Sequence, residues 1–236
     1  EFAELFEDRQ LSNDCKAAEK KLVKAASKVY KKFLASCPAP DAPGSKQVTA
    51  LMTITGLIDA PKADKEFLSI NGAQGFSTFY GYYMLEAMAM AGNYQGALDV
   101  IREYWGAMID LGATSFWEDF DINWIPNAAP IDELVPEGKK DIHGDCGAYC
   151  YVGFRHSLCH GWASGPTSWL SRHILGVEVI EPGCRQVRIT PHLGDLQWVK
   201  GTFPTPYGEL QIYHEKQANG NVISEVKAPK GVSVIK

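Results

Sequence analysis

The stretch Ser77-Thr78-Phe79-Tyr80-Gly81-Tyr82-Tyr83-Met84-Leu85-Glu86-Ala87-Met88-Ala89-Met90-Ala91 is apolar on nearly every side, and Glu86 is its only charge. A helix with no polar face must be surrounded by protein. Gly92 then stops the helix and Asn93 can cap a successor, so the two helices make a hairpin with a very short connection. That successor spans Tyr94 to about Asp110 and carries its apolar residues on one stripe: Leu98, Ile101, Trp105 and Met108. A wholly buried helix followed by an amphipathic one is the inner and outer pair that an α/α toroid requires. Bundles and solenoids alternate in the same way. Glu86 is the one charge on the buried helix and needs a hydrogen-bond partner or a place facing the central cavity.

Outward from this hairpin, the first half of the chain also reads as helical. Ser12 or Asn13 can cap a long helix to about Ser36, with Ala18, Leu22, Ala25, Val29 and Phe33 on its apolar stripe. Lys16, Lys20, Lys24, Lys28 and Lys32 repeat on another face, the pattern of a solvated surface. Cys37-Pro38-Ala39-Pro40 cannot continue the helix. A shorter helix is expected from about Lys46 to Ile58, and a turn at Asn71 to Gly75. Residues 111–154 show no sustained period. Ser157 to Leu175 reads as another helix, kinked or restarted at Gly165-Pro166. After Gly176 the period becomes two, in Val187 and Ile189 and again in Leu210 and Ile212. Asn219-Gly220 signals a hairpin and Lys230-Gly231 a second turn. The expected organisation is a helical unit over 1–176 and an antiparallel β-sandwich domain over 177–236.

Composition excludes some classes. Hydrophobic residues make up 45% and charged residues 22% of the 236, which is ordinary for a globular protein. A net charge of -5 argues against a nucleic-acid partner. No apolar run approaches the ~20 residues of a membrane span. The chain opens on Glu1-Phe2-Ala3 rather than methionine, as expected of a processed or truncated piece, so the compartment is not readable. Six cysteines are present. His143, Cys146, Cys150, Cys159 and His160 lie near one another in sequence but match no standard zinc spacing, so reduced cysteines are expected and no metal or cofactor.

The chemistry is concentrated in Gly112-Ala113-Thr114-Ser115-Phe116-Trp117-Glu118-Asp119-Phe120-Asp121-Ile122-Asn123-Trp124. Three carboxylates and four aromatics share one loop. Sugar sites need both: aromatic faces cover the C–H face of a pyranose, and carboxylates move protons beside an oxocarbenium-like transition state. An inverting glycosidase uses a protonated carboxyl and an ionised one ~6.5–9.5 Å apart, with a water between. On the residues alone, Phe116 and Trp117 also suit a plain core, and Glu118 suits a helix cap or an arginine pair.

The run from Gly112 to Glu118 resembles the Gly-Ala-Thr-Thr…Trp-Glu motif of bacterial α-L-rhamnosidases of glycoside hydrolase family 78. Gly81 to Ala87 with Gly92-Asn93-Tyr94 is similar to the paired helices before that motif. Ser157-Leu158-Cys159-His160-Gly161-Trp162 is similar to the family's Ser-Leu-Asn-His segment, with Cys159 in place of Asn. Ile180 to His192 is similar to the approach to its C-terminal β-sandwich, and Gly201 and the strand from Gly208 to Tyr213 continue the match. The resemblance implies part of an (α/α)6 toroid followed by the sandwich, and inverting hydrolysis of terminal α-L-rhamnosides in plant or bacterial glycans. It implies Glu118 as general base and His160 on the sugar. Trp117 and Trp124 are candidate walls of the sugar pocket. The family's general acid has no counterpart here, and about five helices are visible of the six inner and six outer that such a ring contains. The missing N-terminal part, or another chain, is expected to complete it. The rival reading is a non-catalytic sugar-binding fragment lacking the acid. A third reading, a metal site around His143, Cys146, Cys150 and Cys159, is tested by elemental analysis. The purified chain is expected to carry no stoichiometric zinc, and one bound zinc per chain would revive it.

Overall fold

The computed structural model describes residues 2–36, 39–40, 42, 44–144 and 156–235. A helical unit comes first: α1 (Phe2–Leu5), α2 (Arg9–Ser36), α3 (Ser45–Ile54), α4 (Ala60–Ala63), α5 (Gly81–Met90), α6 (Tyr94–Asp110) and α7 (Gly165–Trp169). Two small sheets follow. Their strands are β1 (Val177–Val179), β2 (Gln186–Ile189), β3 (Trp198–Thr205), β4 (Gly208–Lys216), β5 (Val222–Lys227) and β6 (Ser233–Ile235). This is the arrangement of a partial α/α toroid with a β-sandwich tail.

Helix α5 is the centre of the helical unit. Met84, Leu85 and Ala87 have no exposed surface and Met88 keeps 1%. Burying each large side chain stabilises the fold by ~1.5–3 kcal/mol. Helices α3, α4, α6 and α7 pack around α5. The hairpin forms as expected. Gly92 adopts φ 77°, which only glycine takes without strain, and Asn93 accepts a 2.9 Å hydrogen bond from Gly96 N. The Asn93 amide also donates to Asp64 and Ser69, tying the α5–α6 turn to the end of α4. Leu98, Trp105 and Met108 are buried and Ile101 is half-buried. Glu86 has the partners it needs: His173 Nε2 lies 3.0 Å from one carboxylate oxygen and Arg172 donates to the other at 3.3 Å.

Several local expectations are corrected. The cap of α2 is Asp8, which accepts from Leu11 N at 2.9 Å, because the helix starts at Arg9, before Ser12 or Asn13. The apolar stripe of α2 stays in solvent, with Leu22 69% and Val29 66% exposed, while the lysines are exposed as expected. The helix expected over 46–58 ends at Ile54. A new helix begins where Asp59 caps Lys62 N with Pro61 in the first turn, and it continues as a π-turn over Asp64–Leu68. The helix expected from Ser157 begins at Gly161–Ala163 as a 3₁₀ turn and restarts at Gly165-Pro166. Residues 157–160 are kept out of it by hydrogen bonds to the loop 115–118.

Strands β1 and β2 pair antiparallel, as do β3, β4 and β5, with β4 and β5 joined through Asn219-Gly220. The tail is not wholly antiparallel. β6 returns beside β2 in parallel register, Val187 opposite Val234, because the whole β3–β5 sheet intervenes between them in sequence. Leu175, Val177, Val187, Ile189, Leu210 and Ile212 make the small core. The tail is fastened to α6. Arg102 grips Asp195 through two hydrogen bonds of 2.8 and 2.9 Å, and the Tyr94 and His192 rings stack 3.7 Å apart. At the junction Gly176 has φ 75°, and a Cβ there would come within 2.4 Å of the Thr190 backbone.

Trp169 joins α7 to α5. It has no exposed surface, and its indole N–H donates to Leu85 O at 3.0 Å. Trp169→Ala should lower stability by about 3–5 kcal/mol, chiefly from the cavity it leaves. Denaturant midpoints of the two proteins measure this, and a shift under ~1 kcal/mol would contradict the packing described.

Candidate active site

The motif loop leaves the C-terminus of α6 and runs beside the segment that leads into α7. The two are joined as a short ladder. Glu118 N donates to Ser157 O at 2.8 Å, and His160 N donates to Phe116 O at 2.7 Å. The Ser115 hydroxyl reaches Leu158 O. The Tyr104 hydroxyl on α6 reaches Phe120 O from below. Beneath the ladder Trp117, Phe120 and Ile142 are fully buried.

Glu118 is half-buried and held on every side of its backbone. Its carbonyl oxygen accepts from the Thr78 hydroxyl at 2.6 Å and from the Trp162 indole N–H at 2.7 Å. One carboxylate oxygen, Oε2, accepts from Ser157 N at 3.1 Å. Thr78 lies just before α5 and Trp162 just before α7, so Glu118 sits where two packed helices begin. Among the described residues no helix cap and no arginine holds it.

The other expected residues are placed unequally. His160 is half-buried, its ring centroid 4.6 Å from that of Trp162, and among the described residues its ring nitrogens take no hydrogen bond. Trp117 has no exposed surface. It packs edge-on to Phe120 and His156, and its indole nitrogen has no partner among the described residues. Trp124 is half-buried at the edge of Phe120 and His156. Both tryptophans thus pack around the base of the loop. Asp121 accepts from Asn123 N at 2.9 Å and fixes a 3₁₀ turn over Ile122–Trp124. Among the described residues no group of three metal-ligating side chains occurs. Cys146 and Cys150 lie outside the described residues, as does Arg155, and His143 bonds Asp141 at 2.7 Å.

Sequence reasoning missed Thr78, His156 and Trp162. The first two act on backbone groups far away in sequence, and no motif spacing announces such contacts. His156 is buried, its Nε2 accepts from Asp119 N at 3.1 Å, and its Nδ1 is 2.8 Å from Ile142 O. An acceptor at Nε2 and a carbonyl beside Nδ1 place the proton on Nδ1. Trp162, in the Ser-Leu-Cys-His-Gly-Trp segment, bears an exposed ring next to the Glu118 backbone.

Residues 176–235 match the family described as bacterial alpha-L-rhamnosidase C-terminal domain. A family 78 rhamnosidase of Bacillus sp. GL1 is 26% identical, with a TM-score of 0.60 over 80% of this chain and 18% of that one. The likeness is to α-L-rhamnosidases, and it is clearest in the C-terminal domain. The native α-L-rhamnosidase of Aspergillus terreus is 18% identical and shares the fold, with a TM-score of 0.70 over 98% of this chain and 26% of that one. The Streptomyces avermitilis α-L-rhamnosidase complexed with L-rhamnose, also 18% identical, shares it with a TM-score of 0.57 over 86% of this chain and 19% of that one. The chain thus spans about a fifth to a quarter of the solved structures it matches. No curated protein matches it significantly. Among the described residues no helix is long and apolar enough to cross a membrane.

Asp119 lies beside Glu118 with its Oδ1 accepting from Phe120 N at 2.9 Å. Burial raises its carboxyl above the usual aspartate range, and the nearby Asp121 and Glu118 add to the effect. The folded chain therefore binds this proton more tightly than the unfolded chain. Stability falls as pH rises from the ordinary aspartate value through the raised one, then levels off. Asp119→Asn keeps the acceptor and removes the titration. At neutral pH it should unfold at an equal or higher denaturant concentration than the parent, with the gap closing in acid. Denaturant midpoints at neutral and acid pH measure this, and a variant weakened only at neutral pH would contradict it.

Proposed function

We propose that this chain carries the general-base half of an inverting α-L-rhamnosidase active site. Residues 1–176 would be the C-terminal part of the toroid and 177–236 the β-sandwich domain. Glu118 takes a proton from the water that attacks the anomeric carbon, on the face opposite the departing oxygen. His160 donates or accepts at a sugar hydroxyl. Trp117 and Trp124 support the loop from beneath. The substrate is a terminal α-L-rhamnoside. The general acid belongs to the remainder of the ring, in the N-terminal part of the same protein or in another chain. The observation that carries this reading is the clasp on Glu118: Thr78, Ser157 and Trp162 converge on one residue at the beginnings of two packed helices. Fixing a carboxylate in advance is what general-base catalysis needs, since misplacement by about 1 Å costs ~10²-fold.

The absence of a counterpart to the acid favours one second reading. Alone, the chain would bind sugar without turning it over, and activity would require the rest of the ring.

The test is hydrolysis of an aryl α-L-rhamnoside by the chain joined to its upstream part, beside the Glu118→Gln variant. Turnover should fall by about 10²–10⁴-fold while L-rhamnose affinity is largely kept. A variant with near-parental turnover would overturn the assignment.

A further inference from the structure

Against the backbone carbonyl of Glu118, through the Trp162 indole N–H, lies an aromatic shelf outside the motif loop. Trp162 is 48% exposed and Phe79 38%, and their ring centroids are 5.5 Å apart. Tyr83 meets Phe79 edge-on at 5.8 Å, and His160 closes the other flank of Trp162 at 4.6 Å. Phe79, Tyr83 and Trp162, with Tyr82, border a cleft of about 230 Å³ that Ser164 and Ser168 also line. Such large exposed rings in one contiguous patch mark a binding surface.

The chemistry of the cleft restricts its occupant. Its lining combines aromatic rings with the serine hydroxyls, which suits a ligand with one C–H face and one polar rim. The volume lies below the ~300–1,000 Å³ of pockets for drug-sized ligands, so a single ring is the appropriate load. Gly165 keeps the floor open and tight, since a Cβ there would strike Tyr82 Cβ at 2.6 Å.

Resting on the rhamnosidase reading, we propose that Trp162, with Phe79 and Tyr83, is the platform that seats one pyranose ring of the substrate beside Glu118. Trp117, with no exposed surface, does not serve this purpose. The indole N–H of Trp162 donates to the Glu118 carbonyl, so platform and base are fixed by one hydrogen bond. The ring's apolar C–H face lies on the indole and its hydroxyls meet the serine edge. A terminal 6-deoxy sugar, with a methyl in place of one hydroxymethyl, adds apolar surface to the stacked side.

Calorimetric titration of the chain with L-rhamnose tests this, using Trp162→Ala and Trp162→Phe beside the parent. Both tryptophan variants keep the Thr78 hydrogen bond to Glu118. Affinity should weaken about tenfold or more in Trp162→Ala, and by no more than about threefold in Trp162→Phe, which keeps a ring. Unchanged affinity in Trp162→Ala would overturn the platform, as would a parent chain that binds no L-rhamnose. A loss seen only with p-nitrophenol as the probe would also overturn it, by making the shelf a site for the leaving group. These results are separable from the base assignment, which stands or falls on the turnover of Glu118→Gln.

Discussion

The constraint on which the structure depends is the sheathing of one side of α5, where Gly81, Met84, Leu85, Ala87, Met88 and Ala89 are buried. While Tyr82, Tyr83 and Glu86 are half-buried and Met90 is exposed, Met84, Leu85, Ala87 and Met88 share about half of its circumference, which protein must cover. Helices α3, α6 and α7 do so, and each brings a consequence. Helix α6 carries the chain into the motif loop. Helix α7 approaches closely enough that Gly165 lies against Tyr82 and Trp169 donates to Leu85. The segments just before α5 and α7 are thereby brought to one end of the unit, where Thr78 and Trp162 meet the Glu118 carbonyl. The site is a by-product of how one apolar helix is buried.

The same packing explains why loop and site are ordered without regular secondary structure. Residues 115–118 and 157–160 supply each other's backbone partners, and His156 and Tyr104 bond further backbone groups of the loop. Polar backbone near a core has to be paired, and here side chains and a short ladder do it. Asp119 is drawn into this low-polarity setting and keeps its proton more readily, a destabilising arrangement of the kind that active sites tolerate.

The open surfaces follow from the same geometry. The stripe of α2 around Leu22 and Val29 has the amphipathic pattern of a buried helix and lies in solvent. A chain spanning about a fifth to a quarter of the structures it resembles supplies only part of the cover that a ring of helices would give. The β tail is anchored to α6 through Arg102 with Asp195 and Tyr94 with His192, and to the segment after α7 through His214 with Leu175 O.

The sequence by itself determined the order of helices and strands, the α5–α6 hairpin, the capping by Asn93 and the loop in which Glu118 lies. Each is written locally: in an unbroken apolar run, a glycine with positive φ, an asparagine cap, or a switch from helical to alternating period. The resemblance of four motifs in order gave the candidate base. Tertiary structure decided the rest. It placed Trp117 in the core and Trp162 at the surface, though both are tryptophans beside motif residues, because burial depends on which elements close over a side chain. It set Asp8 as the cap of α2, split the helix expected after Lys46, and brought β6 parallel to β2 across an intervening sheet. It also joined Thr78, Glu118, His156 and Trp162, residues separated by tens of positions. Such contacts follow from the packing of whole helices, and no local pattern of residues encodes them.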